Sequence, residues 1–456
     1  MPLDETAALQ HYDRILRSIY GGRRFLLFGG PLAAIAKTAR ALHGLGAAST
    51  FLLGDSPGTG DPPEPHLGPT LSLGIEGRGM MDAFRKGERT LLDLPAHARA
   101  AIDRWDPARE ARALGFFTLS SCPAVAGRRR FADRPNAWRD LEDKTRVDAF
   151  WDEAGVARAP SEVVPIDLPS LRAAAKRLDR GAGTAWVGDA REGVHGGAEV
   201  LRRVVSDADA GEAAAYLGTR CDRARVMPFL EGIPCSIHGI VFPGGGTSVL
   251  RPVEMVTLRR RGSGRLLYAG TGTFFDPAPA DRDAMRATAR RVGEVLHRRL
   301  GYLGGFTIDG VLAAEGWLPT EMNPRPGAGH NALAASVQGL PIVPLLLAAQ
   351  EGVEADWRPE LLEDLIVTAA DRTRSGAAQA VIEGPRTATE KGSFAEPAAT
   401  WEIGPSPSGG FVRVTPAPGA VAPGDSLAPF AVRALAAADA LLGTGLGPLE
   451  AAVRVR

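Results

Sequence analysis

The chain has 456 residues, with 53 Lys+Arg balanced by 53 Asp+Glu for a formal net charge of +0. Such a length calls for about two to four folding units, and the neutral balance argues against an electrostatic nucleic-acid or membrane partner. No run of roughly 18 apolar residues is present, and Met1 to Gln10 lacks a basic stretch followed by an apolar one, so a soluble, cytoplasmic protein is expected.

Residues 23–53 read as a β-α-β start, with Arg24-Phe25-Leu26-Leu27-Phe28 as a buried strand, Gly29-Gly30-Pro31 as a turn, a helix from Leu32 to His43 and a second strand from Thr50 to Leu53. Gly29-Gly30 could face a phosphate at a helix N-terminus. The turn lacks a full Gly-x-Gly-x-x-Gly and an acidic residue at ribose-reading distance, which argues against a dinucleotide site. Residues 54–69 are Gly- and Pro-rich with little to bury, which predicts a loop or lid. A strand is expected over residues 116–120, followed by Arg128-Arg129-Arg130, a triplet either solvated or facing an anion. Cys122, Cys221 and Cys235 are too far apart to suggest a disulfide framework or a zinc site.

Asp143-Lys144 precedes a helix to Trp151 and a Gly155-Val156-Ala157-Arg158-Ala159-Pro160 step. A strand at Ala185-Trp186-Val187 then runs into the loop Gly188 to Gly197, where Gly193, Gly196 and Gly197 let backbone N–H groups turn towards a phosphate. The same glycines would also suit a plain β-hairpin. Asp281 to Leu300 has the pattern of an amphipathic helix, with Asp281 as N-cap and Gly301 as stop.

Residues 305–325 say most about function. Thr307, Asp309 and Val311 alternate onto one strand face, and Pro319, Glu321 and Asn323 onto one face of the next. A turn near Ala314-Glu315-Gly316 sets Asp309 opposite Glu321. Two carboxylates and an amide oxygen then converge, a donor set that suits Mg²⁺ completed by substrate phosphates. Arg325 reaches the same space with a planar fork that fits phosphate or carboxylate.

Glu321-Met322-Asn323-Pro324-Arg325 closing a hairpin opened by Asp309, with Asp143-Lys144 upstream, resembles the ATP-grasp ligase superfamily. The unusual Trp186 to Gly193 segment and the extra C-terminal region are most similar to pheganomycin-type peptide ligases of actinomycetes. The resemblance implies a mixed α+β and α/β architecture, in which two lobes clasp ATP. It divides the chain into a Rossmann-like pre-ATP-grasp domain (1–135), a small lobe with a Gly-rich lid (136–232), a large lobe with the metal hairpin (233–354) and an appended C-terminal domain (355–456). It implies Lys144 on the ATP phosphates, the hinge residues Phe229, Leu230 and Glu231 beside adenine, and Arg325 stabilising charge in the reaction. The family's second phosphate lysine is missing, since Val187 or Gly188 stands there, and Arg191 or His195 is the candidate replacement. Arg251, Glu254 and Arg259 are candidates for the acyl-phosphate side, with surface strand charges the plainer reading, and His330 is either an acid–base group or an orienting one.

The implied activity is ATP-dependent carboxylate–amine ligation through an acyl phosphate, in specialised metabolism. The implied cofactors are ATP and one or two Mg²⁺, with Mn²⁺ as a substitute. The partners are a small carboxylic acid and an amine, an amino acid or peptide, and a homodimer is allowed. A carboxylase- or kinase-like ATP-grasp enzyme and a non-catalytic nucleotide-binding module remain the alternatives.

Overall fold

The computed structural model describes residues 4–58, 61–77, 80–115, 122–191, 193, 196–382, 389–404 and 410–453. The strand expected over residues 116–120 and the lid candidate His195 lie outside the described residues. Among those described, no helix is long and apolar enough to cross a membrane.

Among the described residues three sheets follow one another along the chain. The first has six strands in the spatial order Thr70–Ser72, Ser49–Gly54, Arg24–Phe28, Arg112–Gly115, Arg128–Phe131 and Ala124–Val125. Neighbours are parallel except for the last pair. Phe25 to Phe28 and Phe51 to Leu53 are buried throughout, as strands covered by helices on both faces must be. Chain order reverses between Arg24–Phe28 and Arg112–Gly115, and that reversal opens a crevice at their C-terminal ends.

The second sheet is antiparallel, in the order Glu162–Pro165, Arg223–Pro228, Thr184–Gly188, Leu201–Val204. Period-2 alternation sends Trp186, Ala224 and Val226 to one face, where they pack with Leu171 and Ala174 of helix Leu168–Leu178 and Leu217 of helix Asp207–Gly218. The opposite face carries Ala185, Val187, Arg225 and Met227 towards the rest of the molecule.

The third sheet has eleven strands and begins at the hairpin Gly304–Ala313 and Gly316–Asn323. It continues through Ile233–Val241, Val253–Arg260 and Leu266–Gly272. Helix Pro279–Leu300 braces the hairpin from behind, with Met285, Val292 and Leu296 packed on Phe306, Ile308 and Met322. It starts before Asp281 because Pro279 takes the first helical turn, where its missing N–H costs nothing. Gly301 ends it with a left-handed φ of 57°, as expected.

Among the described residues, those of 355–456 build no sheet of their own. Gly376–Ile382, Gly410–Pro416, Ala399–Gly404 and Glu390–Phe394 extend the large sheet outward from Leu266–Gly272. Helix Ala428–Leu442 covers that extension, burying Phe430, Ala434 and Leu435 on Val256, Leu258, Val412 and Val414. Its N-cap residue, Leu427, offers no side-chain cap, although Ser426 Oγ accepts from the Ala428 N–H at 3.1 Å. Instead Glu254 reaches from the sheet and accepts from the Leu427 N–H at 2.6 Å, the Ala428 N–H at 3.3 Å and the Ser426 hydroxyl at 2.6 Å. Glu254 is therefore a buried tie between sheet and helix, and neither a surface charge nor a substrate contact. Replacing it with glutamine puts an amide N–H against backbone donors and should destabilise this region by about 1–3 kcal/mol. Hydrogen exchange across residues 426–442 should accelerate in Glu254→Gln while the hairpin Gly304–Ala313 and Gly316–Asn323 stays protected.

Candidate active site

The hairpin pairs Asp309 directly with Glu321 and Thr307 with Asn323. The next strand adds Ser236 opposite Asp309 and His238 opposite Thr307, so all six side chains share one face. Ser236 Oγ donates to Asp309 Oδ1 at 2.5 Å, and Asn323 Nδ2 donates to Asp309 Oδ2 at 2.9 Å. Arg325 donates to Asn323 Oδ1 at 3.1 Å and pairs with Glu142 at 3.2 Å. Glu142 also pairs with Arg134, whose Nε donates to the Pro324 carbonyl at 3.0 Å. Burial works against the charge on Glu142, yet Arg134, Arg325 and Lys144 hold its carboxyl below the usual range.

Lys144 Nζ lies 2.9 Å from Glu321 Oε1, although the two are far apart in sequence. The turn before helix Val147–Glu153 puts it there, with Asp143 Oδ1 accepting from the Thr145 N–H and hydroxyl at 2.9 and 2.7 Å. One connected array thus joins Lys144, Glu321, Asp309, Asn323, Arg325 and Glu142.

The array suits a hard divalent cation. Burial, with the facing Glu321 carboxylate adding to it, pushes the Asp309 carboxyl up to about 6. A cation between the two would relieve both costs, and carboxylate and amide oxygens are donors Mg²⁺ accepts. Among the described residues no group of three or more His, Cys, Asp or Glu gathers to hold a metal, so a site here relies on two carboxylates and the Asn323 amide.

A register shift after Asp309 changes one wall. Asp309 pairs with Glu321 but Gly310 with Pro319, leaving Thr320 as the extra residue of a bulge. Leu318, and not Pro319, therefore turns towards the small sheet. It packs with Ala159, Ala185, Leu201, Met227, Phe229 and Leu230 in an apolar cluster.

The hinge differs from expectation at two points. The Phe229 N–H is taken by the Gly183 carbonyl at 2.9 Å. Glu231 is held by Arg203 at 3.3 Å and by Arg259, both of which lie over the Phe229 ring at 4.4 and 4.9 Å. Arg259 thus sits on the Phe229–Glu231 segment, while Arg251 is buried against Asp276 and Asp371 as a structural clamp.

Arg191 pairs with Asp222 at 2.9 Å and donates to the Thr219 carbonyl at 2.9 Å, at the end of helix Asp207–Gly218. Gly188 faces the helices, where an added Cβ would meet Cys221 Sγ at 2.3 Å, so no side chain fits there. Val187 lies on the sheet face opposite those helices, and its cross-strand partner is Arg225. Arg225 pairs with Asp148 at 2.7 Å and donates to the carbonyl of Thr320, next to Glu321, at 3.3 Å. Its local sequence does not mark this cation, because its partners Asp148 and Thr320 lie far along the chain.

His330 is a fixture of the turn after the hairpin. Its Nδ1 accepts from the Gly327 N–H at 3.2 Å and its Nε2 donates to the Gly239 carbonyl at 3.1 Å. Burial lowers its pKa to about 4, so the ring is neutral. The Gly327 amide is thereby occupied and is not free for a phosphate. Gly329 is required for packing, because an added Cβ would lie 2.2 Å from the His238 ring. Gly329→Ala should cost about 1–3 kcal/mol through forced repacking, read as a lower midpoint in urea. Gly193 has nothing near its Cβ position, so the same change there meets no contact and carries only the backbone strain of a φ of 95°. Gly197 likewise adopts a left-handed φ of 61°, and Gly196 immediately precedes it.

Together the parallel N-terminal sheet, the small antiparallel sheet and the large sheet with its two-carboxylate hairpin make up the ATP-grasp fold. The structure is similar to that of Rhizobium etli pyruvate carboxylase T882A, with a TM-score of 0.58 and 15% identity, over 87% of this chain but only 38% of that one. It is similar to Campylobacter jejuni biotin carboxylase, with a TM-score of 0.57 and 15% identity, over 86% of this chain and 87% of that one. It is also similar to N5-carboxyaminoimidazole ribonucleotide synthetase from Thermus thermophilus, with a TM-score of 0.50 and 19% identity, over 87% and 95% of the two chains. No model of a known family matches the sequence, and no curated protein matches it.

Proposed function

We propose that the protein is an ATP-dependent carboxylate–amine ligase that works through an acyl phosphate and releases ADP and phosphate. The observation that carries this reading is the joining of Lys144 to the Asp309–Glu321–Asn323–Arg325 array beside an apolar cluster. Adenine lies against that cluster, with the Leu230 backbone at its edge and Phe229 as wall, while Glu231 sets the hinge through Arg203 and Arg259. Lys144 exchanges Glu321 for nonbridging phosphate oxygens, as a compact ammonium can. One or two Mg²⁺, or Mn²⁺ on the same oxygen donors, would be held by Asp309, Glu321 and Asn323 and would neutralise phosphate charge. Asn323 must turn its oxygen from Arg325 for this, which frees the guanidinium for the charge that develops on the transferred phosphoryl or acyl oxygen.

The finer reading is a peptide ligase of the pheganomycin type, acting in specialised metabolism on an acid and an amino-acid or peptide amine. Arg191, Gly193, Gly196 and Gly197 then serve as the outer lid and its support, with Arg225 the nearer cation. ADP and phosphate release should require both an acid and an amine from a mixed panel, and mass spectrometry should show the amide. Release that needs bicarbonate and no other acid would overturn ligation in favour of a carboxylase, the reading that the likeness to biotin carboxylase favours second.

A further inference from the structure

A bulge leaves its extra residue outside the regular ladder, and in this hairpin that residue is Thr320, next to the proposed metal ligand Glu321. Other contacts fix it. Its Oγ1 donates to the Asp309 carbonyl at 3.2 Å, and its own carbonyl accepts from Arg225 Nη1 at 3.3 Å. The bulge is thus pinned once from inside the hairpin and once from the small sheet.

Arg225 is an unusual group for its position. It is 1% exposed, on a sheet face that otherwise carries Ala185, Val187 and Met227. Burial works against its charge, and the Asp148 carboxylate offsets this. Asp148 Oδ1 lies 2.7 Å from Arg225 Nη2, and Oδ2 accepts from Nε at 3.2 Å. The Ser161 hydroxyl holds the same Oδ2 at 2.6 Å. Replacing a buried ion pair by apolar residues of similar size is often neutral for stability or better. Fold stability alone therefore gives no reason for a guanidinium here.

The partners close a circuit. Asp148 stands in the first turn of helix Val147–Glu153, and Lys144 lies three residues before that helix begins. Lys144 reaches Glu321, Glu321 follows Thr320, Arg225 holds Thr320, and Asp148 holds Arg225. The helix, the small sheet and the hairpin are thereby tied to one another through polar contacts. In the ligase reading Lys144 leaves Glu321 for phosphate oxygens, which opens the circuit at one point. The Arg225 link and the packing of Leu318 then hold the hairpin against the small sheet.

We infer that Arg225 and Asp148 are a positioning pair for the proposed metal site, holding the bulge so that Glu321 keeps its place opposite Asp309 when Lys144 turns to phosphate. The inference rests on the ligase reading, in which Glu321 holds Mg²⁺. Arg225 acts through the Thr320 backbone and Asp148 through Arg225, so neither is a catalytic residue.

The test is calorimetric titration of the full-length protein with ADP at a series of Mg²⁺ concentrations, alongside thermal melting. Arg225→Met/Asp148→Asn removes both charges at similar volume and leaves Ser161 an acceptor. In that variant the Mg²⁺ concentration giving half of the metal-dependent gain in ADP affinity should rise about tenfold, the scale on which groups behind metal ligands act. ADP affinity under chelation and the melting temperature should stay near those of the parent. Arg225→Lys should raise the same concentration about threefold, because one ammonium cannot serve the carboxylate and the carbonyl as a fork does. It decides the matter if the double variant melts far lower. An unchanged Mg²⁺ dependence in a variant that melts like the parent overturns the inference. So does an equal loss of ADP affinity with and without metal, which marks a general loosening of the small sheet. ADP binding by the unaltered protein that ignores Mg²⁺ would instead overturn the ligase reading.

Discussion

Glu321→Gln should lower ADP release by about 10²–10³-fold while leaving the melting temperature within a few degrees of the parent, a loss typical of removing one preorganised electrostatic group. The carboxylate stands opposite Asp309 and carries the contact to Lys144, so the substitution removes a proposed metal oxygen and frees the lysine at once. Asp309→Asn should show a loss of similar size. Steady-state kinetics under saturating Mg²⁺ read both. Activity of Glu321→Gln near that of the parent would remove the hairpin from the mechanism.

The second large effect belongs to Lys144. Lys144→Ala should raise the Michaelis constant for ATP about 10- to 100-fold, the size of one lost charge-assisted contact. Lys144→Arg should fall between the two, since a forked guanidinium does not occupy the space of an ammonium. Arg191→Ala should leave that constant within about twofold, because Asp222 and the Thr219 carbonyl already hold this guanidinium. A pronounced rise in Arg191→Ala with none in Lys144→Ala would reverse the assignment of the phosphate cation.

The hairpin could be read from sequence because strand alternation is local and a short turn fixes its register. That logic brought Asp309 and Glu321 together and placed Asn323 and Arg325 beside them. It failed one step later at Leu318 and Pro319, where the bulge at Thr320 swaps the two faces. A bulge depends on how two strands settle against each other, and neither strand announces it alone.

Errors elsewhere share a cause: the deciding partner lies far along the chain. Glu231 looked free to meet a nucleotide, and Arg203 and Arg259 occupy it from other strands. Arg128 looked like part of a solvated triplet, yet it is fully buried on Asp103 and Asp106. Glu254 and Arg251 looked like surface strand charges and are instead a helix tie and a buried clamp. Ser236 did leave a signal, as a polar residue two before His238 in an otherwise apolar strand, with both on the face of Asp309. The continuation of the large sheet past residue 354 left none, because an edge strand looks the same whether it ends a sheet or receives a neighbour.

Calorimetric titration of the purified protein with ADP tests the central claim most directly. The arrangement predicts saturable binding, one nucleotide per chain, that depends on Mg²⁺ and falls at least tenfold in Glu321→Gln and in Lys144→Ala. Binding that is unchanged by chelation of the metal and by both substitutions would contradict it.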